Sequence, residues 1–233
     1  MKILSKSSKR LPALNYRLIC LPSRCTISPK NLIALTSAGT GNGAIIKGAS
    51  SSPAAVNTLF GSAQNYGITG GSGSDILTGG AGQDTLTGGA GVDQFIYGGG
   101  FAKNAGAANV DRIADFVAGV GGDQFQFATG ANNFLNGLNF VANTTVKINT
   151  AQTVATAADI NGVFAGITAI TASTNATLQA ALVTVSAGLA AGTYLYANNN
   201  AGAVSNADDF LVNVSGISGT LSVTPTTGNF IFV

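Results

Sequence analysis

The sequence contains no histidine and no tryptophan, and all nine of its acidic residues are aspartates, so glutamate is absent as well. Without histidine, the chain can form neither an H-E-x-x-H zinc site nor a Ser-His-Asp or Cys-His catalytic arrangement. The absence of glutamate and the scarcity of acids suited to burial argue against the carboxylate pair of a glycosidase. These absences predict that the protein is not an enzyme.

Charged residues are also scarce, since they make up 9% of the chain against about a quarter in ordinary globular proteins. Surface helices normally carry Glu, Lys and Arg on their exposed faces. A chain rich in Gly, Ala, Thr and Asn favours strands and turns instead, and aspartate is the acid whose short side chain suits tight turns. The composition therefore predicts a mainly β protein.

Cysteine occurs only twice, as Cys20 and Cys25, and the 208 residues that follow contain no thiol. The spacing is not that of a C-x-x-C motif, and no histidine or further cysteine is available to complete a metal site. Disulfides therefore do not stabilise the main body of the chain. If the protein is extracellular, a stabiliser other than disulfides is required, such as a bound metal ion.

Positive charge is concentrated in residues 1–47, which hold eight Lys or Arg and no acid. Residues 48–233 hold three basic residues and nine Asp, a formal charge of −6. A nucleic-acid-binding domain would place its basic residues along one folded face, so no nucleic-acid partner is expected. No run of 18 apolar residues is present either, so no membrane span is predicted.

We interpret residues 1–45 as a basic leader that is either disordered or a mis-assigned start. Its first basic residues resemble the beginning of a signal peptide, but the apolar run that should follow is interrupted. The interrupting residues are Pro12, Asn15, Arg17, Pro22 and Arg24. A targeting role stays open as the alternative.

A period of nine residues is regular in three consecutive segments that span residues 70–96. Each segment has the pattern G-G-x-G-x-D-x-U-x, in which U is a large apolar residue. The apolar residue recurs in two segments upstream, over residues 52–69, which lack the aspartate and are expected to cap the repeats. The series is Leu59, Ile68, Leu77, Leu86 and Phe95. The pattern predicts a short parallel β-roll over residues 52–102.

The residue types at each repeat position suit calcium binding. Glycine at positions one, two and four allows left-handed or strained backbone angles that turn carbonyl groups inward. Aspartate at position six supplies a hard carboxylate oxygen, and calcium takes about six to eight oxygens from carboxylates and carbonyls together. The predicted metal-binding residues are Gly71, Gly73, Asp75, Gly80, Gly82, Asp84, Gly89, Gly91 and Asp93.

Two repeats form one full coil, so repeats n and n+2 stack on the same side of the roll, about 4.8 Å apart. Asp75 and Asp93 should therefore share one calcium site on one side. Asp84 should lie on the opposite side, where its upstream neighbour is Tyr66. Three acids follow downstream, namely Asp111, Asp115 and Asp123. Either of the first two could complete the site of Asp84, and a role of all three as solvated turn residues is an equal alternative.

These repeats resemble those of the RTX, or hemolysin-type calcium-binding, family. Residues 111–116 and 122–127 are similar to the D-x-I-x-D-F and G-D-x-I segments that follow the repeats in serralysin-type proteins. Residues 192–196 and 208–212 resemble the last β-element of many bacterial RTX proteins. The resemblance implies calcium as the cofactor and the bacterial type I secretion apparatus as a partner, with an uncleaved C-terminal signal. Asn229 stands where such signals usually carry an acid.

We therefore predict a mainly β fold, with the β-roll followed by a C-terminal β-rich domain over residues 103–233 that holds a few short helices. The predicted function is that of a secreted, extracellular calcium-binding RTX protein, complete or the C-terminal module of one, that folds on binding calcium after type I export. The alternative is a calcium-dependent surface-layer or adhesive structural protein that associates with copies of itself at the cell surface. A weakly charged chain rich in Thr, Asn and Ala suits that alternative.

Overall fold

The computed structural model describes residues 19–21, 24–26, 32–34, 44–48, 56–61, 64–98, 110–128, 145–148, 151–168, 177–197, 204, 210–221, 223–226 and 229–232. The strands in chain order are β1 Ile19–Leu21, β2 Arg24–Thr26, β3 Leu32–Ala34, β4 Ala44–Lys47, β5 Thr58–Phe60, β6 Tyr66–Gly71, β7 Ile76–Thr78, β8 Thr85–Gly89, β9 Gln94–Gly98, β10 Arg112–Ile113, β11 Gln124–Ala128, β12 Thr145–Ile148, β13 Gln152–Val154, β14 Thr177–Val185, β15 Gly192–Ala197, β16 Phe210–Asn213, β17 Val223–Thr226 and β18 Asn229–Phe232. The helix found within these residues, α1, spans Ile160–Gly166.

Two sheets enclose the interior of the roll, and the chain alternates between them along the repeats. The first sheet contains β4, β6, β8 and β10 as parallel neighbours, and the second contains β3, β5, β7, β9 and β11. Ile68 lies beside Leu86 in the first sheet, and Leu59 lies beside Leu77 in the second. Each strand of the repeats thus pairs with the strand two repeats away. The predicted parallel β-roll and mainly β fold are confirmed.

The apolar residues at position eight fill the roll. All five members of the predicted series are 0% exposed, and Ile46, Ile113 and Phe125 extend the series within the same sheets. Complete burial of such a side chain contributes about 1.5–3 kcal/mol relative to exposure. The interior therefore provides stability that does not depend on metal.

Aromatic side chains close the downstream end of this interior. The ring centroids of Phe116 and Phe125 are 4.5 Å apart, and Phe95 lies 6.0 and 6.1 Å from these two rings. Tyr97 and Phe210 meet edge to face at 5.1 Å. Because Phe210 belongs to β16, these rings place the roll and the C-terminal strands in one hydrophobic core.

The first sheet continues from the roll into the C-terminal strands without a break. β10 pairs in parallel with β8 on one side and with β16 on the other. β16, β15 and β14 then pair antiparallel, and β12 and β13 lie beside β14. In the second sheet, β11 pairs with β18, and β18 pairs with β17. Residues 192–196, which resemble part of the last β-element of RTX proteins, lie in β15, and residues 210–212 of the second similar segment lie in β16.

The helix α1 packs on the other face of these antiparallel strands. Asp159 precedes it, and the carboxylate of Asp159 accepts a hydrogen bond from the Gly162 N–H at 2.9 Å, as an N-cap residue does. The ring of Phe164 meets that of Tyr196 edge to face at 6.2 Å. The C-terminal part of the chain, which is expected to hold a few short helices, contains this one among the described residues.

Three short strands, β1 to β3, lie within residues 1–45, the segment expected to be a leader. β2 pairs in parallel with β4, and β3 pairs with β5, so both sheets continue upstream of the repeats. The sequence also predicts turns at the three glycines of residues 98–100 and at residues 198–202, and these lie mostly outside the described residues. Among the described residues, no helix has the length and apolar character needed to cross a membrane.

Candidate metal centre

The position-six residues of successive coils stack in two rows, one at the start of the strands of each sheet. The row beside the second sheet consists of Asn57, Asp75, Asp93 and Asp123 and is termed the long row. The row beside the first sheet consists of Tyr66, Asp84 and Asp111 and is termed the short row. The structure thus places Asp75 and Asp93 on one side and Asp84 on the other, as their spacing predicts.

In the long row, one carboxylate oxygen of each aspartate accepts a hydrogen bond from a backbone N–H one coil upstream. Asp75 Oδ1 accepts from the Asn57 N–H at 2.6 Å, and Asp93 Oδ1 accepts from the Asp75 N–H at 2.7 Å. Asp123 Oδ1 accepts from the Asp93 N–H at 2.9 Å. These bonds orient the carboxylates and hold consecutive turns in register.

The short row follows the same scheme. Asp84 Oδ1 accepts from the Tyr66 N–H at 2.7 Å, and Asp111 Oδ1 accepts from the Asp84 N–H at 2.8 Å. Asp115 instead accepts with both oxygens from two backbone N–H groups of the turn that begins at Gly88, at 3.0 and 2.8 Å. Asp111 therefore continues the row, whereas Asp115 holds a neighbouring glycine turn in place.

Three aspartates keep a carboxylate oxygen that has no partner. Oδ2 of Asp75, Asp84 and Asp93 is buried without a hydrogen bond, and all three side chains are 0% exposed. Asp123 differs, because its Oδ2 accepts from the Val117 N–H at 2.9 Å. Leaving a buried polar group unsatisfied costs about 1–3 kcal/mol, and more when the group is charged. A bound cation would remove this cost at all three positions.

Each unpartnered oxygen lies against the first glycine of its own repeat. A Cβ on that glycine would collide with Oδ2 of the aspartate five residues later. The pairs are Gly70 with Asp75, Gly79 with Asp84, and Gly88 with Asp93. Position one therefore requires glycine for space. None of these three glycines has a positive φ, which corrects the expectation that backbone freedom is needed at position one.

The other repeat glycines do shape the turns through their backbone angles. At position two, φ is 145° for Gly71, 98° for Gly80 and 102° for Gly89, and at position four it is 108° for Gly82 and 128° for Gly91. Residues with a side chain rarely adopt such angles. Gly73, the remaining position-four residue, is buried below the turn that follows it, where a Cβ on Gly91 would lie 2.6 Å from the Gly73 carbonyl oxygen.

Burial disfavours the ionised form of these aspartates. It raises the pKa of Asp84 to about 7, although the backbone N–H of Tyr66 opposes the change. Burial raises the pKa of Asp93 to about 6, and the negative charges of neighbouring aspartates add to the effect. Burial also raises the pKa of Asp75 against the hydrogen bonds from Asn57. Ionised carboxylates in this setting require a compensating positive charge.

The donors in the two rows fit calcium. Within the described parts of the chain, no three acidic or cysteine side chains converge on one point. A cation held here must therefore take most of its oxygens from backbone carbonyls, as calcium does, whereas zinc and copper prefer nitrogen and sulfur. Asp75, Asp84 and Asp93 would hold the ion through Oδ2, together with carbonyl groups of the glycine turns.

Part of this arrangement is not evident from the sequence. Asn57 lies at position six of its segment, where the regular repeats carry aspartate, and its Nδ2 donates to Asp75 Oδ1 at 2.7 Å. The alternative that the downstream acids are solvated turn residues is wrong for Asp111 and Asp123, which are 0% and 3% exposed. The nine-residue period ends before both, so spacing alone does not reveal their place in the rows.

Comparison with known proteins agrees with this geometry. Residues 69–101 match the family described as RTX calcium-binding nonapeptide repeat (4 copies). The chain is also 40% identical over 157 residues to a protein named S-layer protein from Synechocystis sp., an alignment that covers 55% of this chain and 9% of that protein. Residues 69–101 are therefore RTX calcium-binding repeats, carried by a chain that is similar to a small part of an S-layer protein.

Proposed function

We propose that this chain is a calcium-binding segment of a surface-layer structural protein, located outside the cell, whose β-roll folds on binding calcium. One observation supports calcium binding above the others: three fully buried aspartates each keep an unpartnered oxygen within stacked glycine turns. The match to RTX repeats supports the identity of the ion. The relative named S-layer protein supports the surface-layer role.

Folding and calcium binding are coupled in this proposal. Without a cation, the folded roll buries carboxylates with raised pKa values and orders many glycines, which lose more backbone freedom than other residues. With calcium, the binding free energy stabilises the folded state, because the unfolded chain has no preformed site. Extracellular calcium modules have Kd values of about 10⁻⁴–10⁻³ M, so such sites fill outside the cell.

The structural role requires contacts between copies of the chain. A weakly charged composition, with 9% charged residues, favours association because there is little like-charge repulsion between copies. We further propose that the protein leaves the cell by type I secretion, as the resemblance to RTX proteins implies. A structural role also agrees with the lack of histidine and glutamate, and we propose that the chain has no enzymatic activity.

Association in calcium and in EGTA tests this proposal. With millimolar calcium, size-exclusion chromatography with light scattering should show large assemblies, and electron microscopy should show ordered arrays. With EGTA, the chain should be monomeric and should lose most of its strand signal in circular dichroism. An unchanged strand signal would contradict the coupling of folding to calcium. A folded, calcium-loaded monomer would contradict the surface-layer role and favour a secreted calcium-binding module.

Two matched variants separate calcium binding from a general effect of charge. Asp93→Asn removes a buried carboxylate of the long row and should weaken both calcium binding and assembly. Asp159→Asn removes the same charge at an exposed N-cap, where asparagine caps a helix as well as aspartate does. This second variant should bind calcium and assemble like the unmodified chain. Equal losses in both variants would show that net charge, and not the site, controls assembly.

A further inference from the structure

We propose that the amide side chain of Asn57 takes the place of a calcium ion at the upstream end of the long row. The row would then bind no calcium between Asn57 and Asp75, and its ions would begin at the next turn. This inference rests on the proposed calcium binding by the repeats and concerns where the row of ions ends.

The contacts of Asn57 support this substitution. Its Nδ2 donates a hydrogen bond to Asp75 Oδ1 at 2.7 Å and lies 3.4 Å from the carbonyl oxygen of Gly70. A carboxylate oxygen and a glycine-turn carbonyl oxygen are the two kinds of ligand that calcium takes. The amide donates to Oδ1 of Asp75, whereas Oδ2 accepts no hydrogen bond and stays available to an ion at the next turn. In the upstream coil, one amide group with two N–H bonds contacts both of them.

The amide is held firmly in this position. Asn57 is only 2% exposed, and its backbone N–H also donates to Asp75 Oδ1. The amide also packs against Gly48, where a Cβ would lie 2.6 Å from Asn57 Nδ2. A buried amide fixed between a carboxylate and a carbonyl leaves no room for an ion at the same point.

Charge explains why the row ends with asparagine. An aspartate at position 57 would bury a further carboxylate next to Asp75 and would need another cation to compensate it. The asparagine amide donates to the carboxylate instead, and hydrogen bonds to charged acceptors are about twice as strong as neutral ones. The short row also begins with a residue that carries no charge, Tyr66, whose ring packs against Gly61. Both rows therefore end upstream without adding a carboxylate.

Counting bound calcium in the full chain tests the inference. Isothermal titration calorimetry and native mass spectrometry should show that Asn57→Asp binds one calcium ion more than the unmodified chain. Asn65→Asp is the matched control, because it adds the same charge in a neighbouring turn where Asn65 Oδ1 only accepts a hydrogen bond from the Gln83 N–H at 2.8 Å. It should bind the unmodified number of ions.

A second variant tests the same idea without adding charge. Asn57→Ala should bind as many calcium ions as the unmodified chain, because the amide is not a ligand. The calcium concentration at which half of the chain is folded, measured by circular dichroism, should rise roughly tenfold because a buried hydrogen bond to a charged group is lost.

Three results would overturn the inference. The first is an unchanged number of ions in Asn57→Asp or its failure to fold in saturating calcium. The second is an additional ion in Asn65→Asp, which would show that any added carboxylate recruits calcium. The third is the loss of one ion in Asn57→Ala, which would make Asn57 a ligand. If the unmodified chain binds no calcium at all, the proposed function itself fails, and the two failures are thus distinguished.

Discussion

Replacing Asp84 with asparagine should stabilise the roll in the absence of calcium and destabilise it in the presence of calcium. Asparagine has nearly the same shape, and its oxygen can still accept the hydrogen bond from the Tyr66 N–H, which is 2.7 Å from Asp84 Oδ1. What the substitution removes is the buried negative charge and the unpartnered Oδ2. The substitution should therefore raise the free energy of unfolding without calcium and lower it with calcium.

The magnitude follows from the pKa of Asp84, which burial raises from 3.8 to about 7. Each pKa unit corresponds to about 1.36 kcal/mol, so at about pH 8 the ionised side chain lowers the free energy of unfolding of the calcium-free chain by at most about 4 kcal/mol. Solvent screening reduces this, and about 2 kcal/mol is the expected gain in the variant. The direction of this effect follows from proton binding. Between the ordinary pKa of 3.8 and the folded-state pKa of about 7, the folded state binds more protons than the unfolded state does. Calcium-free stability therefore falls as pH rises through that range.

With calcium, the unmodified chain should be more stable than the Asp84→Asn variant. A ligand present at about 100 times its Kd stabilises the folded state by about 2.7 kcal/mol per site, and Asp84→Asn should lose most of the contribution of its site. Urea unfolding at about pH 8, followed by circular dichroism in EGTA and in calcium, measures both effects, with sucrose added where the calcium-free chain needs it to fold. Equal destabilisation in both conditions would refute the reasoning, because Asp84 would then act only as a hydrogen-bond acceptor.

Three further outcomes are expected. In sucrose, where the calcium-free roll is folded, calcium affinity measured by calorimetry should fall as the pH is lowered through about 7 and then about 6, because protons compete for Asp84 and Asp93 in the folded state; a flat profile under these conditions would exclude both as ligands. Gly88→Ala should reduce the number of bound calcium ions, because its Cβ would collide with the Asp93 carboxylate. Gly67→Ala is the control and should bind the unmodified number, because its Cβ would lie 3.9 Å from the nearest atom, Cγ1 of Ile45. Leu77→Ala, at a fully buried position, should lower the free energy of unfolding in saturating calcium by about 2–5 kcal/mol without changing the number of ions, and a smaller number would show that packing and metal binding are inseparable here.

The nine-residue period predicts the roll because its physical cause is local. A large apolar residue at position eight, such as Leu77, must point inward wherever strands are stacked in register, so the periodic positions and the buried positions coincide. The same reasoning predicts that Asp75 and Asp93 stack, since each strand pairs with the strand two repeats away. Sequence alone therefore predicts the interior and the repeat aspartates.

The rest of the fold and of the metal centre depends on contacts that the nine-residue period does not encode. Asp111 and Asp123 join the rows after irregular stretches of chain, and only the pairing of β10 with β8 and of β11 with β9 brings them into place. The role of Asn57 at the end of the long row depends on the acceptors of its amide, Asp75 Oδ1 and the Gly70 carbonyl oxygen, which are close in space and distant in sequence. Position-one glycines are required by a carboxylate five residues away, whereas the motif suggests a backbone reason. The parallel junction of β10 and β16 joins distant parts of the chain and leaves no local pattern.

The rows keep their geometry although the length of chain between their members varies. Asp75 and Asp93 are 18 residues apart, Asp84 and Asp111 are 27 apart, and Asp93 and Asp123 are 30 apart, yet each pair is joined by the same hydrogen bond. The roll thus accepts nine additional residues before β10 and three more before β11 without a change of register. We therefore expect related chains to differ in length between β9 and β10. For the same reason, we expect this segment to tolerate a grafted foreign peptide.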